Sequence, residues 1–130
     1  NAPITKDIDL AVSLLRKGEL VSFPTETVYG LGADAQNPSA IQQVFRVKGR
    51  PADHPLIVHI ASSDQLAVWA KDIPANAWLL AEHFWPGPLT MILRKQPSVS
   101  MLITGNQDTI AIRIPKHSLT LELLKRFGSG

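Results

Sequence analysis

The feature that most constrains this chain is a strict alternation of side chains over residues 109–114. Three isoleucines alternate there with a second set of residues, which are Thr109, Ala111 and Arg113. A period of two is that of a β-strand with one apolar face and one more polar face. Residues 55–60 instead form a nearly continuous apolar run, which is typical of a strand covered on both sides. The chain is therefore expected to build a sheet.

Helical patterns are interleaved with these strands. Residues 7–17 and 118–127 carry apolar side chains at helical spacing, and a glycine follows each segment. Asn37 and Pro38 are typical of a helix start, and Pro74 is predicted to open another helix. Further strands are expected over residues 19–23 and 89–93. The interleaving predicts a layered α/β or α+β domain around a mixed sheet.

Composition sets the class of protein. The chain has 130 residues, of which 45% are hydrophobic and 18% charged, so one globular domain is expected. The formal net charge of +2 permits an anionic partner without requiring one. Without cysteine, disulfides and thiolate metal sites are excluded. No apolar run approaches the roughly 20 residues of a membrane span, and no signal peptide is apparent, so a cytoplasmic protein is predicted.

The segment 22–32 combines hydroxyl groups, a glutamate and two glycines directly after a predicted strand. Such a segment suits either a small-ligand pocket or an ordinary polar loop. Residues 30–35 also match the dinucleotide pattern G-x-G-x-x-A. That pattern requires a helix immediately after the strand, whereas here Pro24 ends the strand and the next helix starts near Asn37. A dinucleotide site is therefore not predicted.

Four further residues, at three places in the chain, each allow two interpretations. Lys48 and Arg50 follow a predicted helix, where cations either complement the helix dipole or bind a polyphosphate. Arg113, in the middle of a strand, is either solvated or salt-bridged, or holds a carboxylate with both arms of its guanidinium. His59 within an apolar strand is more typical of a core or pocket residue than of a metal ligand. The four histidines show no ligand spacing, so no protein-held metal is predicted.

Five segments together resemble the Sua5/YrdC (TsaC) family. They are Phe-Pro-Thr-Glu-Thr-Val-Tyr-Gly-Leu-Gly at 23–32, Lys-x-Arg-Pro at 48–51, His-Pro-Leu-Ile-Val-His at 54–59, Trp-Pro-Gly-Pro-Leu-Thr at 85–90 and Asp-Thr-x-Ala-x-Arg at 108–113. They occur in the family's order and spacing over nearly the whole chain. The resemblance implies one YrdC-like domain over residues 1–130, with a twisted mixed sheet flanked by helices in three layers.

The resemblance also implies an activity. Members of this family condense L-threonine, bicarbonate and ATP into L-threonylcarbamoyladenylate and release pyrophosphate, which makes them nucleotidyltransferases. Separate transferase proteins then use the product for the threonylcarbamoyladenosine modification of tRNA. Mg²⁺ is expected to enter with ATP, and no protein-bound metal or organic cofactor is expected.

Roles for single residues follow from the same resemblance. Thr27 and His59 are expected in the threonine pocket, and Arg113 is expected to bind the threonine carboxylate. The residues expected on the nucleotide side are Lys48, Arg50, Thr109 and His54. Lys48 and Arg50 are expected to be the catalytic cations. His54 is the least secure of these, because the family pattern has asparagine at that position.

One element of the family pattern is absent. A Pro-Ser-Ala-Asn segment supplies a serine and an asparagine to the nucleotide site, and this chain contains no Ser-x-Asn tripeptide. The domain is therefore expected to be incomplete at its C-terminus. The alternative function is a non-catalytic module that binds double-stranded RNA or tRNA. A weaker alternative is a carbamoyl-handling domain of a larger protein, such as a hydrogenase-maturation factor.

Overall fold

The computed structural model describes residues 8–24, 29–48, 56–128 and 130. Its helices are α1 (Ile8–Arg16), α2 (Pro38–Lys48), α3 (Leu66–Trp69), α4 (Ala75–Phe84), α5 (Met101–Thr104) and α6 (Ser118–Phe127). Its strands are β1 (Val21–Pro24), β2 (Tyr29–Gly32), β3 (Ile57–His59), β4 (Ala70–Lys71), β5 (Met91–Lys95) and β6 (Thr109–Arg113). A 3₁₀ turn over Ser63–Gln65 precedes α3. Within this described part, no helix is long and apolar enough to cross a membrane.

The strands form two sheets. β1 and β2 pair antiparallel as a two-stranded sheet, and the other four strands form a mixed sheet in the order β3-β6-β5-β4. β6 runs parallel to β3 and antiparallel to β5, so it is covered on both edges. The predicted α/β architecture, a mixed sheet flanked by helices, is confirmed.

The core lies on one face of the four-stranded sheet. The alternation predicted for residues 109–113 appears directly in the burial of β6, where Ile110 and Ile112 are buried and their neighbours are only partly buried. Residues of α2, α3, α4 and α5 pack with these isoleucines in one large hydrophobic cluster. A smaller cluster joins α1, α6 and β1. Burial of β-branched side chains between the sheet and the helices is the main force that holds this layer together.

Local signals set the helix ends as expected. The Asn37 side chain accepts a hydrogen bond from the Ala40 N–H at 3.3 Å, so it caps α2. Gly128 ends α6 in the left-handed region with φ of +82°, which is nearly free of strain only for glycine. Pro74 stands immediately before α4. These three predictions are confirmed.

Other sequence predictions need correction. Residues 29–32, expected in a polar loop, form β2 instead, because Tyr29 pairs with Pro24 and closes a hairpin. The strand before it begins at Val21 and includes Pro24, rather than ending at Phe23. The short elements β4 and α5 were not predicted.

Candidate functional site

The face of the four-stranded sheet opposite the core carries the predicted site residues that the structure describes. Register pairs His59 with Arg113 across β3 and β6, and the alternation along β6 places Thr109 on the same side. Ile92 on β5 and Ile57 on β3 lie on this side too, and they are 65% and 49% exposed. We refer to this side of β3, β4, β5 and β6 as the open face.

The open face has a polar end formed by His59 and Arg113. Both residues are partly buried, and their Cα atoms face each other in parallel register. The Ile60 N–H donates to the Arg113 carbonyl at 3.0 Å, which extends this pairing past the last residue of β3. Neighbouring strands lie about 4.8 Å apart, so the imidazole and the guanidinium start from adjacent positions.

A turn over residues 85–88 contacts Arg113. The Arg113 Nε donates to the Gly87 carbonyl at 2.8 Å, and the Gly87 N–H donates to the Ile114 carbonyl at 2.9 Å. The turn is closed internally by the Trp85 Nε1–H, which donates to the Leu89 carbonyl at 2.8 Å. Its first peptide bond, between Trp85 and Pro86, is cis. This turn therefore holds a side chain that was predicted to bind substrate.

The other end of the open face is a row of polar residues on three neighbouring strands. Thr109 of β6 pairs with Arg94 of β5, and Arg94 pairs with Lys71 of β4. Arg94 and Lys71 are exposed, and Thr109 is partly buried. Sequence reasoning missed both cations, although alternation within residues 91–95 could have indicated the side of Arg94. Thr109 and Arg113 are four positions apart along β6, so the two ends lie about 13 Å apart.

The remaining predicted site residues are not placed. Thr27, Arg50 and His54 lie outside the described residues, and so does the side chain of Lys48, which is the last residue of α2. The structure thus brings together His59, Thr109 and Arg113 on one face. Whether Thr27, Lys48, Arg50 and His54 lie near these three residues stays a prediction.

An open groove of about 570 Å³ lies elsewhere, between α1 and α6. Its lining residues are Asp9, Val12, Ser13, Arg16, Lys17 and Arg126. Arg126 forms a 2.7 Å ion pair with Asp9, and the Arg16 guanidinium donates to the Arg126 carbonyl at 3.2 Å. Arg126 and Arg16 therefore connect α1 with α6. None of the described predicted site residues, His59, Thr109 and Arg113, lines this groove.

No group of three or more histidine, aspartate or glutamate side chains converges on a common point within residues 8–24, 29–48, 56–128 and 130. The functional groups of the open face are cationic, imidazole and hydroxyl groups. Such groups suit anionic ligands, carboxylates and phosphates above all, better than they suit a metal ion.

Comparison with known proteins identifies the class of protein. A model of the Sua5, YciO and YrdC proteins, described as telomere recombination, matches residues 13–130. Because the match covers nearly the whole chain, the chain belongs to the Sua5/YciO/YrdC family. The family expected from the sequence is thereby confirmed.

Individual relatives carry a more specific name. The chain is 54% identical over 118 residues to the threonylcarbamoyl-AMP synthase of Pyrococcus abyssi, which covers 91% of this chain and 35% of that protein. It is 49% identical over 119 residues to the threonylcarbamoyl-AMP synthase of Bacillus subtilis, covering 91% of this chain and 34% of the relative. The chain thus spans about a third of the length of these two relatives.

Solved structures share the fold. Sua5 of P. abyssi in complex with L-threonine superposes with a TM-score of 0.91 at 52% identity, covering 94% of this chain and 36% of that one. Escherichia coli YciO superposes with a TM-score of 0.85 over 99% of this chain and 67% of its own. At 22% identity, YciO supports the fold alone.

Proposed function

We propose that this chain is part of an enzyme that makes L-threonylcarbamoyladenylate from L-threonine, bicarbonate and ATP, with release of pyrophosphate. The product would supply the threonylcarbamoyladenosine modification of tRNA through separate transferase proteins in the cytoplasm. Support comes from relatives named threonylcarbamoyl-AMP synthase and from a structural neighbour described with L-threonine bound. The observation that carries the proposal is the pairing of His59 with Arg113 at one end of the open face, with Thr109 on the same face.

The amino-acid half of the reaction would take place at the His59–Arg113 end. In the proposal Arg113 binds the threonine carboxylate, and His59 and Thr27 line the rest of the pocket. The threonine ammonium group loses a proton, and its nitrogen attacks CO₂ or bicarbonate, with loss of water from bicarbonate, to give a carbamate. No covalent bond to the protein is needed. The task of these residues is to hold the carbamate oxygen near the nucleotide.

The nucleotide half would take place towards Thr109. The carbamate oxygen attacks the α-phosphorus, the bond from that phosphorus to the bridging oxygen breaks, and pyrophosphate leaves. Such transfers depend on positioning and on neutralising charge, which Lys48 and Arg50 would provide, with Thr109 and His54 as further nucleotide contacts. Mg²⁺ enters as part of the ATP substrate, held by phosphate oxygens and water.

The amino-acid requirement tests this proposal directly. The full-length gene product is incubated with ATP, Mg²⁺, bicarbonate and one amino acid at a time, and pyrophosphate release is measured. Threonine-selective release is expected, since the pocket must distinguish a β-hydroxyl and a methyl group. Serine and valine are the matched controls, because each lacks one of these two groups. Release that is independent of the amino acid would contradict the proposal.

A single substitution tests the nucleotide side. Arg50→Ala is expected to abolish ATP-dependent pyrophosphate release while the fold survives, because a guanidinium that neutralises phosphate charge acts in the transition state. Circular dichroism and the thermal midpoint report on folding. The control is Arg46→Ala, which removes an exposed cation of α2 and should retain turnover. Near-normal turnover of Arg50→Ala would refute the role given to Arg50.

The two exposed cations of the open face favour a second candidate, a non-catalytic module that binds tRNA or double-stranded RNA. Lys71 and Arg94 could contact a phosphate backbone without reading its sequence. Salt-sensitive RNA binding without any threonine-dependent turnover would support this candidate. Turnover with threonine would favour the synthase instead.

A further inference from the structure

Gly87 attaches the turn over residues 85–88 to the end of β6, because it both donates and accepts a hydrogen bond there. Gly87 donates its N–H to the Ile114 carbonyl at 2.9 Å and accepts the Arg113 Nε–H at 2.8 Å. Trp85 is 9% exposed and Ile114 is 5% exposed, so the turn is attached to the buried core through Trp85 and through the hydrogen bond to Ile114. The Gly87 carbonyl is therefore a fixed acceptor whose position does not depend on a mobile side chain.

Residue 87 has to be glycine for this geometry. A Cβ placed there would lie 2.6 Å from the Phe84 carbonyl oxygen, well inside van der Waals contact. That oxygen belongs to the backbone at the end of α4, and it cannot move aside as a flexible side chain could. Any larger residue would displace the turn, and the acceptor for Arg113 would move with it.

The hydrogen bond restricts how Arg113 can bind a carboxylate. A guanidinium can bind two carboxylate oxygens side-on, through Nε and one terminal nitrogen, or end-on, through both terminal nitrogens. The side-on mode would require Arg113 to give up its bond to Gly87. The end-on mode retains that bond, and the bond also fixes the plane of the guanidinium before the ligand arrives.

We propose that the Gly87 carbonyl is a positioning group that orients Arg113 for end-on binding of the amino-acid carboxylate. This inference rests on the proposed function, in which Arg113 is the carboxylate ligand. Gly87 touches no substrate and acts through Arg113. The turn after α4 and the end of β6 meet at this arginine. The substrate end of the open face is thereby set before threonine binds.

The first experiment needs neither a variant at residue 87 nor a ligand. In ¹⁵N spectra of the full-length gene product, the Nε–H signal of Arg113 is assigned by its loss in Arg113→Lys. Its exchange with water is then measured without substrates. We expect exchange about tenfold or more slower than for Arg94, which is exposed on the same face, because a hydrogen-bonded and partly buried proton is protected. Exchange as fast as that of Arg94 would overturn the proposal.

The second experiment uses Gly87→Ala. It is expected to remove the slow exchange and to raise KM for threonine about tenfold, with KM for ATP unchanged within about twofold. Gly18→Ala is the matched control, because Gly18 has φ of +83° and its added Cβ would lie 2.7 Å from the Asn37 side chain, away from the open face. Gly18→Ala should be destabilised without any change in KM for threonine.

The outcomes separate the two proposals. If the wild-type protein lacks threonine-dependent turnover, the proposed function fails and the carboxylate role of Arg113 fails with it, whereas slow Nε–H exchange would still show that Gly87 holds the guanidinium. If Gly87→Ala is active, loses the slow exchange and retains its KM for threonine, the positioning proposal is wrong and the synthase proposal stands. Should Gly87→Ala not fold, the exchange measurement on the wild-type protein decides.

Discussion

The two faces of the four-stranded sheet are built from the same strands but differ in how deeply their side chains are buried. On the core face, Ile110 and Ile112 are 1% and 0% exposed, and helices cover them. On the open face, Ile92 and Ile57 are 65% and 49% exposed, and polar residues stand at both ends. One face contributes stability through burial, whereas the other presents functional groups. Substitutions on the two faces should therefore separate stability from activity.

The largest expected effect lies on the core face. Ile112→Ala should lower the free energy of unfolding by about 2–5 kcal/mol, because a fully buried side chain leaves a cavity that its neighbours cannot fill. Ile92→Ala removes the same atoms from the open face and should cost less than about 1 kcal/mol. Urea midpoints of the two variants measure the difference. Equal losses would mean that the open face is covered in the full-length protein.

A smaller effect, on binding alone, is expected at the Arg113 end. Arg113→Lys keeps the charge but loses both the planar fork and the Nε donor to Gly87. We expect KM for threonine to rise about tenfold to a hundredfold, while the unfolding free energy changes by less than about 1 kcal/mol. Steady-state kinetics with threonine and with ATP varied separately measure this. A loss of stability comparable to that of Ile112→Ala would assign Arg113 to the core instead.

The smallest effect is expected at the opposite end. Replacing Lys71 and Arg94 together by glutamine should leave stability within about 0.5 kcal/mol, since both side chains are exposed. KM for ATP should rise about twofold to fivefold, a small effect because solvent screens their charge. The control is the double variant Lys125→Gln and Lys17→Gln, which removes one exposed cation of α6 and one just after α1. An unchanged KM for ATP with weaker, less salt-dependent RNA binding would favour the RNA-binding module.

Much of the open face could be predicted from the alternation in one strand. A period of two assigns Thr109 and Arg113 to one side of β6 without knowledge of any partner strand. The neighbour of Arg113 could not be predicted in this way. His59 lies beside it only because β3 and β6 pair in parallel in one particular register, and that pairing joins segments 54 residues apart in the sequence. The link from Arg113 to Gly87 depends on the same kind of long-range contact.

Parts of the fold could not be predicted, because some elements are short and one helix has apolar residues on all sides. The two glycines of β2 favour a loop, and pairing with β1 makes this segment a strand. α5 has four residues, too few to show a helical period, although Ser100 caps it and Gly105 ends it in the left-handed region. In α4 the apolar residues surround the helix, so their spacing could not indicate that Ala77 and Ala81 face the core while Trp78 does not.

α6 has a mechanical consequence for the whole domain. Its Leu121 packs against the large cluster, and its Leu123 and Phe127 belong to the small one. One helix of ten residues therefore contacts both clusters. Because one helix packs in both, the two clusters are expected to melt as a single cooperative unit.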